Sequence, residues 1–174
     1  MLLKPLDVLV LIWLATRPDR DWQGTVRDLA AALGIVPSQI QYALTRAARC
    51  HLYSRERRRV LIPNLLEFLE HGLRYALPAE PGPIEQGVPT AHSAGVMQAA
   101  LAAAGDPALS RLVWPYLEGG EIGQTLTPLH PVVAGLAMSD ADFHAAMALV
   151  DSLRVGGARE RAVAAAQLRE RLQR

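Results

Sequence analysis

Little in this chain is of the kind that builds a covalent, metallic or membrane-bound structure. Cys50 is the only cysteine among 174 residues. No intramolecular disulfide and no cysteine-based zinc site can therefore form, and a reducing cytoplasm is the expected setting. Aromatic residues are only 5% of the chain while alanine is abundant, which favours helix over sheet. The apolar run from Val8 to Ala15 falls well short of the roughly 20 residues needed to span a bilayer. Pro5 and Asp7 bring no basic leader to it, so no signal peptide and no membrane are expected, and the protein reads as soluble and cytoplasmic.

Catalytic and metal-binding patterns are equally scarce. The five histidines (His51, His71, His92, His130 and His144) show neither HExxH spacing nor a tight Cys/His cluster. Cys50 beside His51 is a single pair at a helix end, so no metal and no cofactor are expected. Gly119-Gly120-Glu121-Ile122-Gly123 lacks the Lys-Ser/Thr of a phosphate loop and reads as turns. Ser93 stands next to His92 but outside any GxSxG elbow. An enzyme is not expected; one with its site in the C-terminal half would need a deep polar pocket there.

What is present is a chain of 51% apolar residues, ample for a core. Its small net charge of +1 conceals a division. Residues 1–78 hold 11 Lys/Arg against 7 Asp/Glu, or +4, and residues 79–174 hold 7 against 10, or −3. A basic front and an acidic back suit a nucleic-acid-binding head on a separate body.

In that front half, Pro5 suits a first helical turn, and Leu6, Leu9, Val10, Trp13 and Leu14 form an amphipathic stripe ending before Pro18. Val8, Leu11, Ile12 and Ala15 fill much of the opposite side. A helix apolar all round must be covered twice, here by the C-terminal half or by a second chain, which makes residues 5–17 a candidate dimer surface. The linker Asp19-Arg20-Asp21 leads to Thr25, an N-cap with Asp28 in the first turn of a helix over Val26–Leu33. Pro37 then suits the start of a third helix reaching about Cys50. After it, Leu52 and Val60-Leu61-Ile62 predict two short strands flanking a charged tip. Asn64 and Glu67 have the spacing of a capping box for a fourth helix, whose buried stripe is Leu65, Leu66, Leu69, Leu73 and Leu77.

The stretch TVRDLAAALGIVPSQIQYALTRAARCHLY, Thr25 to Tyr53, carries the sharpest signal. Ala30 is small where two helices cross, Gly34 supplies a turn with positive φ, and Ile40 drops from the second helix onto the first. It resembles the winged helix-turn-helix of bacterial transcriptional regulators of the MarR and ArsR kind, over roughly the first 78 residues. Val36 departs from that pattern, standing where a Ser or Thr cap is usual. The resemblance implies a recognition helix in the DNA major groove. Ile40, Leu44 and Ala47 point inward at i, i+4 and i+7, leaving Ser38, Gln39, Gln41, Tyr42, Thr45, Arg46 and Arg49 to face out. Gln pairs with adenine, Arg with guanine, and Ser and Thr reach bases or phosphates. No acid interrupts that ridge. Arg55, Arg57, Arg58 and Arg59 would be the arginines of the wing, straddling a phosphate backbone or entering the minor groove, with Glu56 as the only acid at the tip.

Beyond residue 78, PAEPGPIEQGVPTAHS (residues 79–93 with Pro78) is rich in Pro and Gly and reads as a linker or ordered arm without regular structure. Residues 94–174 read as a mainly helical accessory or dimerisation region. A short helix runs over Val96–Ala104 and stops at Gly105. Irregular structure follows from Asp106 to Pro131 around Leu112, Val113, Trp114, Ile122 and Leu126. Ser139 caps a helix through about Arg154 with the apolar face Met138, Phe143, Met147, Leu149, Val150 and Leu153. Gly156-Gly157 breaks it, and a last helix spans Ala158 to about Leu172. That last helix either packs on its own body or pairs with a second protomer. The expected whole is a mainly α protein: a winged helix-turn-helix with a two-stranded wing (residues 1–78) and a helical C-terminal accessory region. The expected function is sequence-specific binding of double-stranded DNA as a homodimeric repressor, on a palindrome with half-sites about one helical turn apart. The other reading is a protein-interaction adaptor, or antitoxin-like partner, that keeps the winged helix as a scaffold.

Overall fold

The computed structural model describes residues 3–17, 22–103 and 110–173; the Asp19-Arg20-Asp21 linker and the helix stop expected at Gly105 lie outside them. Along the described residues the chain runs α1 (Pro5–Ala15), α2 (Val26–Leu33), α3 (Pro37–Arg49), β1 (Tyr53–Ser54), β2 (Arg59–Val60), α4 (Ile62–His71), α5 (Leu73–Ala76) and β3 (Pro81–Pro89). A 3-10 turn (Ala91–Ser93), α6 (Gly95–Ala103), β4 (Leu112–Pro115), β5 (Glu121–Leu126), α7 (Val132–Ser139), α8 (Ala141–Val155) and α9 (Ala158–Gln173) follow. The protein is mainly helical, with a small antiparallel hairpin and one further sheet. No described helix is long and apolar enough to cross a membrane.

α1 explains how the two halves meet. Pro5 occupies its first turn, and from Asp7 to Ala15 no residue is more than 6% exposed. α3 and β2 touch it from the front half and α8 from the back half. Each large side chain so buried contributes roughly 1.5–3 kcal/mol, so both covers matter. Of the two covers the sequence allows, the chain supplies its own. The stretch Asp7–Ala15 is covered by α3, β2 and α8 of the same chain, so the apolar face expected to meet a second copy over residues 5–17 is already taken. One continuous apolar cluster runs from Val8 through Trp114 to Leu172. α9 likewise buries Ala164, Leu168 and Leu172 against its own body, touching α4, α6 and α8.

The stretch expected as a linker or arm holds the nine-residue strand β3. β3 runs antiparallel to β5 from Pro81 to Gly87 and antiparallel to β4 from Gly87 to Pro89, while β4 and β5 pair in parallel, so three strands close on one another. Its prolines sit where a strand tolerates them. Pro81 and Pro89 end the strand, and Pro83 lies in the register shift between Pro81 and Ile84. Gly87 is the residue that pairs with both Pro115 and Glu121. A Cβ there would lie 2.0 Å from the Trp114 carbonyl oxygen, and one on Gly119 would lie 2.1 Å from Gly87. Only glycine permits so close an approach. The segment Gly119–Gly123, expected as turns, is a turn only at its start and then enters β5.

Two helix starts also differ from expectation. α4 begins at Ile62 with Pro63 in its first turn, and Asn64 does not cap it. Its Nδ2 instead donates to the His51 carbonyl at 2.7 Å, holding a residue with φ of 57°. Ser139 ends α7, a helix the irregular reading up to Pro131 did not anticipate, and Asp140 caps α8 by accepting from the Phe143 amide at 2.9 Å.

Candidate nucleic-acid interface

The helix pair α2–α3 is set by caps. The Thr25 hydroxyl accepts from the Asp28 amide, and the Asp28 carboxylate accepts from the Thr25 amide at 2.7 Å, a closed capping box. These bonds hold the Asp28 carboxyl below its ordinary 3.8, the backbone one most. Gly34 ends α2 at φ of 64°, and the Ile35 amide returns to the Ala30 carbonyl at 2.9 Å. Val36 occupies the N-cap of α3 without a side-chain cap and is 60% exposed. The first turn of α3 closes on the backbone instead, the Gln39 and Ile40 amides both donating to the Val36 carbonyl, at 2.9 and 3.3 Å.

α3 rests on Ile40, Ala43, Leu44 and Ala47, all buried. Ser38, Gln39, Gln41, Tyr42 and Arg49 are exposed and Thr45 is half-buried. Arg46 is the correction. It is 7% exposed, and its Nε and Nη2 reach the two oxygens of Asp7 at 2.7 and 2.5 Å. Asp7 is wholly buried and also accepts from the Lys4 amide at 2.8 Å. Arg46 therefore anchors α3 to α1 and reads nothing outside. The hydrogen bond to Asp7 holds its guanidinium above its ordinary value.

The β1–β2 hairpin pairs Tyr53 with Val60 and Ser54 with Arg59. Its arginines divide into two kinds. Arg55 donates to the Thr45 hydroxyl at 2.6 Å, joining hairpin to helix. Arg58, at φ of 50°, donates to the Gly24 carbonyl in the loop before α2. Arg57 and Arg59 are exposed, and no described residue pairs with their side chains. Beneath the tip, burial pushes the Tyr53 phenol up, with Arg58 pulling the other way. Arg27 on α2 is exposed as well, a cation the motif reading passed over. Asp7 was the other omission, and its signal was visible as a lone acid inside an otherwise apolar helix.

Among the described residues no three His, Cys, Asp or Glu could hold a metal, and Cys50 is exposed and free. The Ser93 hydroxyl accepts from the Leu112 amide at 2.7 Å. His92 lies between the Ser110 carbonyl and the Glu160 carboxylate, and His144 reaches the Pro89 carbonyl at 2.7 Å. Burial pushes His130 below its ordinary value. A buried hub in the back half centres on Asp151, which is 0% exposed. It accepts from Thr90 at 2.9 Å, from the Trp114 indole at 2.6 Å and from Arg154 at 2.7 Å. Burial pushes its carboxyl up against the pull of Arg154. Arg154 in turn donates to the Leu77 and Thr127 carbonyls. This buried hub ties α8 to β4 and to the residues that follow α5, β3 and β5. In comparisons with protein-family models, curated proteins and solved structures, nothing matches this chain.

Proposed function

We propose that the protein binds double-stranded DNA, with α3 in the major groove and the β1–β2 hairpin as a wing along the adjacent backbone, and that it acts in transcriptional control as a repressor. One observation carries this reading: an exposed helix face without an acid, joined by the Arg55–Thr45 hydrogen bond to a hairpin bearing exposed arginines. A solvated helix without a role ordinarily mixes Glu and Lys, whereas a polyanion selects against acids. Gln39 and Gln41 are the residues proposed to read adenine, with Ser38, Tyr42, Thr45 and Arg49 reaching bases or phosphates. Arg57 and Arg59 are proposed to grip the backbone, while Arg55 and Arg58 hold the wing in place. A two-fold pair of heads on a palindromic site belongs to the same reading, with its contact outside α1.

Fluorescence polarisation on a set of duplexes at several salt concentrations tests it. Neutralising Arg57 and Arg59 together should weaken binding to every sequence and flatten the logarithmic salt slope by about 1.8 per head. Gln41→Ala should instead reduce discrimination between duplexes, by about 1–3 kcal/mol at the position it reads. Absence of binding to any duplex at physiological salt would overturn the reading and return the head to the adaptor role.

A further inference from the structure

At the far end of β4, an open cleft of about 690 Å³ is lined by Glu85, Gln86, Pro115, Tyr116, Leu117 and Glu118. Its size lies within the range of small-ligand sites. Its floor is fixed. Gly119 sits directly on the Gly87 backbone, too close for a Cβ of its own. The Gln86 amide nitrogen donates to the Leu117 carbonyl at 2.9 Å and to the Gly119 carbonyl at 2.7 Å. The turn from residue 117 to residue 119 is thereby strapped across the end of the sheet. The Tyr116 amide also reaches the Gln86 carbonyl at 3.2 Å.

The strapping decides what the cleft can offer. Gln86 spends its donors on the turn, and the carbonyls of Leu117 and Gly119 are taken by it. Its polar groups are then the carboxylates of Glu85 and Glu118 and the Gln86 amide oxygen, while the Tyr116 hydroxyl lies beside Gly135 on α7. No described residue pairs with either carboxylate, and the basic Arg111 nearby is engaged by Glu121. All of these accept hydrogen bonds and none donates. The walls are apolar: Pro115, the half-buried Tyr116 ring, and Leu117, which is 93% exposed. Acceptors at the rim and apolar walls together suit a ligand with one cationic end and an apolar body.

We propose that this cleft binds a small organic cation, an ammonium or guanidinium group carried on an apolar or aromatic skeleton. The head group lies between Glu85 and Glu118, and the skeleton lies against Tyr116, Pro115 and Leu117. An anion of the same shape is rejected by the same two carboxylates.

The probe is phenethylammonium, titrated into the intact protein without DNA and followed by NMR shifts of Tyr116 and Leu117. Neutral 2-phenylethanol and anionic 3-phenylpropionate serve as matched controls. Saturable binding of the cation, weakened by salt and exceeding both controls, is the expected result. Glu85→Gln and Glu118→Gln should each weaken it about threefold and together about tenfold, while Glu67→Gln on α4 leaves it unchanged. Both positions are exposed, so the variants should keep the wild-type melting temperature. Equal binding of the three probes, or an affinity untouched by the double variant, overturns the proposal. So does salt-sensitive self-association in sedimentation that the double variant abolishes, since the occupant would then be an arginine of a second copy. Because no duplex is present, none of these outcomes depends on the DNA reading.

Discussion

Each half of the molecule buries one aspartate completely and answers it with an arginine, but the two pairs are built in opposite ways. Asp7 and Arg46 stand 39 residues apart, on α1 and α3, and meet through two bonds. Asp151 and Arg154 are three residues apart on one helix, and both reach outward, to Trp114, Thr90 and two backbone carbonyls. The first is a clip between two helices, with a single partner on the arginine side. The second is a hub whose members each have several partners. Removing one member should therefore be felt more in the front half than in the back.

The largest expected effect follows directly. Asp7→Asn should cost about 3–5 kcal/mol in urea denaturation, because Arg46 is left as a buried cation without a counter-charge. Asp151→Asn should cost less, about 1–3 kcal/mol, since Arg154 keeps the Leu77 and Thr127 carbonyls. Equal losses would break the contrast. Arg46→Ala should abolish the proposed DNA binding by unseating α3, rather than relax sequence preference.

Glycines sharpen the same contrast at a smaller scale. Gly87→Ala should cost about 1–3 kcal/mol or more, since its Cβ would meet backbone that cannot step aside. Gly34→Ala in the front half meets nothing within 4 Å and strains only its φ of 64°, at about 1–2 kcal/mol. Paired melting curves of the two variants compare steric crowding with backbone strain. Thr25→Ala is the smallest, about 1 kcal/mol for a lost cap. Its effect depends on pH. The Asp28 carboxyl titrates lower in the folded chain than its ordinary 3.8, so its contribution is present above that value and fades as pH falls through the folded one. The gap between Thr25→Ala and the parent should accordingly narrow in urea titrations run at about pH 3.

The halves also differ in how much of them could be read before any coordinates. α2 and α3 are bounded by Thr25, Gly34 and Pro37, local signals that the structure places at those boundaries. Arg46 was misread for a geometric reason. At 100° per residue it lies about 60° from Ala43 round the helix, on the border of the buried arc, and its partner is remote in sequence. β3 was hidden by Pro81, Pro83 and Pro89, which mark a linker by composition. Their tolerance depends on strand ends and a register shift that only pairing defines. α7 was missed because Val132–Ser139 is apolar all round and lacks the 3.6-residue alternation. The cleft at Tyr116 arises from a turn strapped to a strand 31 to 33 residues distant, which no local spacing records.

The burial of α1 has a consequence for the life of the polypeptide. A fragment cut after residue 78 would keep α2, α3 and the hairpin but leave bare the side of α1 that α8 covers. Greasy and uncovered, it would clump or be degraded. While the chain is being made, the first helix must wait, half-sheltered, for the eighth to emerge before the head can settle.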